Sequence, residues 1–228
     1  MKRLLLCLLI QMPLQIPITL AEVRVQDTET ARLQAVFNTA WDKEMRDNPV
    51  WASSLGDRRF NRSWRDESET ARQARLQRYQ NTLTSMAEIE IEKLTHQGRI
   101  NFDLFQRQMQ TRIEAFKFRD DLMPMSQRGG IQTLNETATS LRLQTIADYE
   151  DWLARLSKVN QLVDQTIQKM QQGLLTGYVP PSVIMQRIPN QIQKQLVQIP
   201  ADSPFYQPFK NLPEAISAED QRRLQKTA

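Results

Sequence analysis

Few residues in this chain are equipped for chemistry. His96, in KLTHQGR, is the single histidine, and Cys7 is the single cysteine. One histidine with no second histidine or companion cysteine cannot build the usual zinc site. Beside Gly98, His96 is expected at a helix C-terminus, where a cation is mildly favoured. Carboxylates occur close together: Asp120 with Asp121, Asp148 before Glu150 and Asp151, and Glu219 with Asp220. Two acids at a suitable separation work as acid and base on a glycoside or peptide bond. Adjacent acids on a helix point to different faces, however, and Asp148 and Asp151 fall where a helix N-terminus favours negative charge. SQRGGIQ (residues 126–132) has a Gly-Gly pair but no lysine or hydroxyl residue at phosphate-loop spacing, so it is no nucleotide site. Glycine lets a backbone approach a ligand closely, and a guanidinium meets a carboxylate. Arg128, Gly129 and Gly130 are therefore the candidate substrate-binding residues, with a plain turn as the alternative. No serine stands between glycines in the nucleophile-elbow pattern. The sequence thus offers no catalytic residue and no metal-ligand set.

The ends and the composition narrow the setting. Lys2 and Arg3 precede the apolar run LLLCLLI, Pro13 and Pro17 break the next stretch, and TLA ends at Ala21. This reads as a secretory signal peptide over residues 1–21, cut between Ala21 and Glu22, with an uncleaved membrane anchor as the alternative. The run is too short to span a bilayer permanently. The expected location is the periplasm or beyond, with no membrane attachment after cleavage. Cys7 would leave with the leader, so the mature chain has no thiol for a disulfide, nucleophile or metal. Its stability must come from a core, which ~200 residues can supply. The whole chain has a formal charge of +4, and losing Lys2 and Arg3 leaves 28 basic against 26 acidic side chains. The charges are interspersed without a basic block or stacked aromatics, which excludes nucleic acid as a partner.

The elements that would position any site are helical. The six glycines fall between periodic segments, as expected where glycine is kept out of helix interiors. Apolar residues recur at helical spacing: Leu33, Val36, Phe37, Ala40, Trp41 and Met45 in one stripe, Leu76, Tyr79, Leu83 and Met86 in a second, and Phe102, Phe105, Met109, Ile113 and Phe116 in a third. Asp66 with Glu69, Thr145 with Asp148, and Ser217 with Asp220 are spaced as capping boxes. The clearest helix runs from Tyr149 to Met170 and stops near Gly173. Pro180 and Pro181 restart a helix carrying Ile184, Ile188 and Ile192, which Pro189 bends. Phe205, Tyr206 and Phe209 should pin a proline-rich loop onto neighbouring helices. The last ten residues show no apolar stripe. No segment alternates as a strand does. The fold class is therefore all-α, an irregular bundle of about five or six long helices. NRS at Asn61 and NET at Asn135 fit glycosylation acceptors, a pattern common by chance.

The segment NPVWASSLGDRRFNRSW (residues 48–64) carries two of the four tryptophans. Pro49 should open a short helical turn with Trp51 and Leu55 facing inward, and Gly56 should end it. Phe60 and Trp64 then dock the next turn, with Asp57, Arg58 and Arg59 pairing locally or facing a cleft.

Six segments occur in one order: PVWASSLGDRRFN, INFDLFQRQM, LMPMSQRGGIQ, TIADYEDWLARL, GLLTGYVPPSVIMQRI and DSPFYQPF. Together they resemble the N-terminal part of the bacterial DUF885 family, over essentially the whole mature chain. The resemblance implies a largely helical, zincin-like protein, often exported, and a zinc-dependent peptidase activity. It implies longer chains whose zinc site lies in the C-terminal portion, on a helix with a His-Glu pair and a further histidine. In such sites the metal activates a water and a glutamate acts as base. This sequence has no His-Glu pair, so no metal or catalytic residue is carried over and zinc is expected only in a full-length member. The expectation is a helical N-terminal portion, residues 22–228, of a truncated DUF885-like chain. It would wall a peptide channel, be inactive alone and lack its C-terminal catalytic partner. The alternative is a stand-alone periplasmic binding or scaffold protein.

Overall fold

The computed structural model describes residues 20–228, with side chains from Thr28 onward. The leader reading over residues 1–19 lies outside the described residues. The junction between Ala21 and Glu22 falls at the start of the first helix, α1 (Leu20–Asp47).

The chain is all-α: among the described residues there is no strand. Besides α1, the long helices are α3 (Glu69–Ala87), α4 (His96–Ala115), α5 (Ile146–Leu156), α6 (Val159–Thr176) and α10 (Ala218–Thr227). Short turns of helix lie between them: α2 (Pro49–Ser54), α7 (Ser182–Met185), α8 (Ile188–Gln193) and α9 (Gln207–Lys210). The long helices agree in number with the apolar periodicity. No helix among the described residues is long and apolar enough to cross a membrane.

Two apolar clusters hold these helices. One joins α1, α3 and α4 through Leu33, Met86, Leu94 and Phe102, with Phe37 and Phe105 packed against it. The other joins α5, α9 and α10 through Tyr149, Trp152, Phe209 and Leu224. The proline-rich loop is pinned as expected: Phe209 is fully buried between Tyr149 and Tyr206, at ring distances of 5.6 and 5.7 Å. The terminal helix does have an anchor, since Leu224 is fully buried. One apolar residue suffices there because Gln221 and Gln225 also donate to carbonyls of Ile216 and Phe209.

Several local expectations are revised. α3 is capped by Ser68, whose hydroxyl accepts from the Ala71 amide, and not by Asp66. Asp66 instead accepts from the Ser68 amide and from Gln165, so it holds the entering chain to α6. His96 is the first residue of α4, not the end of a helix. Thr95 makes the difference, because its hydroxyl accepts from the Gly98 amide and satisfies an otherwise orphaned donor. The predicted helix from Tyr149 to Met170 is two helices. At the junction Ser157 donates back to the Ala154 carbonyl, and the Lys158 ammonium reaches the Arg62 carbonyl at 2.8 Å. Gly173 does not stop α6, which continues to a left-handed cap at Gly177. Gly173 is needed for closeness instead: a Cβ there would lie 2.5 Å from the Tyr178 carbonyl and 2.9 Å from that of Leu122. The Thr145–Asp148 capping box forms as read, and Pro189 sits in the first turn of α8, after a break in the helical run.

α6 buries its apolar stripe only in part, with Val159, Val163 and Met170 half-buried. It buries Thr166, Lys169 and Gly173 and leaves Ile167, Leu174 and Leu175 exposed. Lys169 is tolerated inside because its ammonium meets Glu67 at 2.5 Å.

Candidate binding site

The segment 48–64 is organised by one buried cation. Arg155, on α5, has no exposed surface. Its Nη2 donates to the Ser53 hydroxyl at 2.8 Å, the Phe60 carbonyl at 3.1 Å and the Pro49 carbonyl at 3.4 Å. Its guanidinium carbon lies 5.6 Å from the Trp64 ring centre, and the Trp64 indole N–H donates to the Arg155 carbonyl at 2.8 Å. Burial pushes the guanidinium down to about 10, partly offset by the charge of Asp151. Trp64 also packs edge-on against Trp152 at 6.2 Å. The docking role expected for Trp64 is therefore met, and Phe60 contributes its carbonyl to Arg155 and its half-buried ring to Arg59 at 5.3 Å.

Charges from the same segment tie it to α5. Arg58 pairs with Asp148, and Arg62 meets Asp151 at 2.6 Å. Asp57 and Arg59 pair with each other, and Arg59 also reaches Asp42. Burial alone would raise the Asp148 carboxyl. Donation from the Thr145 hydroxyl and amide, the Gln144 amide and Arg58 outweighs it, so its pKa lies below the ordinary value. Asp148 and Asp151 are thus a helix cap and a clamp, not an acid–base pair. The two glycosylation-type asparagines are engaged as well: Asn61 with Ser53 and Asp151, and Asn135 with Gln195.

The Gly-Gly loop folds back on itself. The Ser126 amide donates to the Gly129 carbonyl at 2.8 Å, and the Gln132 side chain donates to the carbonyls of Ser126 and Gly129. Gly130 has φ +136°, a conformation L side chains rarely adopt, and a Cβ there would lie 2.6 Å from the Gln132 Oε1. Gly130 lines an open cavity of about 480 Å³ together with Pro124, Asp121, Glu67 and Lys169. Arg128 is exposed and does not line it. The structure therefore brings one of the three predicted site residues to a cavity wall, and Gly129 serves the loop.

Trp51 and Leu55 do not face inward. They are 43% and 54% exposed, and Trp41, expected in the core stripe of α1, is 50% exposed. Asn48 follows the end of α1, and Pro49 and Ala52 are the buried residues of α2. α2 therefore turns its Trp51 edge outward, against Trp41 at 5.4 Å and 70° between rings. The pair borders a cavity of about 370 Å³ between α1, α3 and α4. Phe37, Phe105 and Met109 form its apolar wall, with Phe37 and Phe105 edge-to-face at 4.6 Å. Its charged lining, apart from the exposed Lys43, is paired internally. Glu44 accepts from Arg112 at 2.5 Å and from Asn48 at 3.0 Å. Arg112 also reaches the Tyr79 hydroxyl, and Arg78 pairs with Asp47. A concave site of this size, largely apolar with a few fixed polar groups, has the makeup of a ligand pocket. The sequence signal for it is present but points elsewhere, because both tryptophans sit at positions that read as core.

These features define an all-α multi-helix protein with an aromatic-rimmed cavity and no assembled acid–base pair among the residues described. The chain belongs to the family described as bacterial protein of unknown function (DUF885), whose profile matches residues 49–228. No curated protein matches the chain. The matched region takes in the 48–64 clamp from Pro49, the Gly-Gly loop and all helices after α1. Zinc, which the resemblance implies for full-length members, does not fit the residues described here. His96 is exposed at the start of α4, and no three of His, Cys, Asp or Glu come together.

Proposed function

We propose that this chain is the N-terminal helical portion of an exported DUF885-family zinc peptidase, forming one wall of its substrate channel and catalytically silent by itself. The observation that carries this reading is the set of exposed apolar side chains that lies between Ile167 and Ile199, on either side of the buried Ile188. Ile167 and Leu174 are seven residues apart, on one face of α6, and both are exposed. Leu175 is 88% exposed, and Val179, Val183, Leu196, Val197 and Ile199 follow along the chain. Exposed apolar side chains that gather into a patch mark an interaction surface. The occupant that fits is the C-terminal catalytic portion of the family, which would bring the His-Glu pair this sequence lacks. Such a protein acts in the periplasm or outside the cell, on peptides.

The test uses the purified chain alone and mixed with the separately expressed C-terminal portion of a longer family member. Alone, it should bind no stoichiometric zinc, hydrolyse no peptide and self-associate. Mixed, it should form a complex that hydrolyses peptides. Zinc-dependent turnover by the chain alone would overturn the reading, as would failure of the mixture to associate.

The second reading, a stand-alone periplasmic binding or scaffold protein, is favoured by one feature: the tryptophan-rimmed cavity is completed by the chain's own residues. A well-behaved monomer that binds a ligand and ignores the catalytic portion would support it.

A further inference from the structure

The structure assigns the cavity between α1, α3 and α4 to the neutral apolar side chain of an extended peptide, taken up beside Trp41 and Trp51. This rests on the peptide-substrate reading above and names the subsite within it.

The charge pattern decides what enters. Both Glu44 oxygens have donors, Arg112 and Asn48, and the Asp47 carboxylate has Arg78. Lys43, the remaining charged lining residue, is exposed. An ion entering the cavity would lose its water and meet, apart from the solvent-exposed Lys43, only groups already paired, which is costly. A neutral group loses nothing comparable.

The wall decides its polarity. Phe37, Phe105 and Met109 line the inside, while Trp41 and Trp51 stand half-exposed at 5.4 Å from each other. An aromatic ring or long aliphatic chain placed against these indoles removes apolar surface from water on both partners. At about 370 Å³ the cavity is at the small end of the range for ligand sites, which suits one large side chain and not a whole folded element.

The rim decides what carries that side chain. Gln34 and Asn38, one turn apart on α1, both line the cavity. The Gln34 Nε2 donates to the Asn38 Oδ1 at 2.9 Å. That bond leaves the Gln34 carbonyl oxygen as an acceptor and the Asn38 amide hydrogens as donors. One acceptor beside one donor is the complement of a peptide unit, whose N–H and C=O need one of each.

The experiment measures binding of capped pentapeptides, acetyl-Ala-Ala-X-Ala-Ala-amide with X as Phe, Leu, Asp or Lys, to the full chain. The four indole N–H resonances provide the readout. With X as Phe or Leu, the Trp41 and Trp51 signals should shift saturably while those of Trp64 and Trp152 stay. Affinity should fall about tenfold or more for Asp and Lys. Trp41→Ala and Trp51→Ala should each weaken the Phe peptide by about tenfold. Trp51→Phe should restore most of the affinity, while the unfolding midpoint stays near that of the parent. Equal affinity for all four peptides, unmoved Trp41 and Trp51 signals, or shifts produced only by a chito-oligosaccharide would overturn the assignment. Its failure is separable from that of the peptidase reading. Peptides that bind without any hydrolysis by the assembled complex would sink the enzyme and keep the subsite. Hydrolysis by the complex with Trp41 and Trp51 unmoved would do the reverse.

Discussion

Trp64 and Arg155 hold each other in two ways. The Trp64 indole N–H donates to the Arg155 carbonyl at 2.8 Å, and the Arg155 guanidinium lies 5.6 Å from the same indole ring. With the Ser53 hydroxyl and the Phe60 and Pro49 carbonyls on its Nη2, Arg155 gathers the turn-rich segment 48–64 onto α5. This joins the three-helix unit of α1, α3 and α4 to the unit built on α5, and it also places Trp51 beside Trp41 at the cavity rim.

Removing that cation should loosen the clamp. Arg155→Ala leaves buried acceptors without a donor and opens a cavity, and should cost about 3–5 kcal/mol. Arg155→Met keeps most of the volume and removes a buried charge, so it should cost less. Because burial holds the folded guanidinium near 10, below its ordinary value, its buried charge weakens the fold at neutral pH, and that penalty lifts as pH rises above about 10. Trp64→Phe, which loses one hydrogen bond, should cost about 1 kcal/mol. Urea unfolding checks all three, and equal losses for the Ala and Met variants would show that the lost guanidinium contacts, not the cavity, carry the cost.

Glycine substitutions should separate by backbone geometry. Gly130→Ala, at φ +136° and 2.6 Å from Gln132, should lose about 1–3 kcal/mol. Gly173→Ala should be harmful although it lies within α6, because the atoms it would strike are backbone carbonyls. Gly129→Ala meets nothing closer than the Ser126 hydroxyl at 3.6 Å and should stay within about 0.5 kcal/mol of the parent. Thermal unfolding midpoints rank the three.

Acid should act through Asp148. Its folded pKa lies below the ordinary 3.8, since hydrogen bonds from Thr145 and Gln144 with the charge of Arg58 outweigh burial. The stability it contributes is complete above 3.8 and is lost as pH falls through the lower folded value. Asp148→Asn should therefore destabilise the chain by about 1–3 kcal/mol at neutral pH and flatten the decline below pH ~4. A variant whose stability falls with acid as steeply as the parent's would show that other carboxylates dominate.

The exposed apolar side chains should govern association. Leu174→Ser with Leu175→Ser removes two of the most exposed leucines, so the unfolding midpoint should barely move while self-association weakens. Sedimentation at several concentrations reads this directly. A parent chain that is already monomeric at high concentration would count against the uncovered face as an interface.

Much of the fold could be read from residue order. Leu33 and Met45, Phe102 and Met109, and Tyr149 and Trp152 lie on helical stripes, and all six are buried. The Thr145–Asp148 and Ser217–Asp220 caps form where their spacing places them. Such features depend on neighbours within a turn or two of helix, so a linear reading captures them. Ends were less legible. Ser68 and Asp66 are both competent caps, and which one serves was settled by Gln165, nearly a hundred residues away.

The sequence by itself determined that the described residues form helices and no strand, and where most of those helices run. Helical periodicity and residue type are local or compositional, and they fix those points without reference to distant parts of the chain. Only the tertiary structure decided which apolar faces are covered. Trp41 and Ile167 sit on stripes like those of core residues, Trp51 is expected to face inward, and all three remain at the surface, while Arg155, Lys169 and Thr166 are inside. Periodicity says that a helix has a preferred face. What lies against that face depends on where Pro49, Ser53, Phe60 and Glu67 bring their acceptors, and no spacing along the chain encodes that meeting.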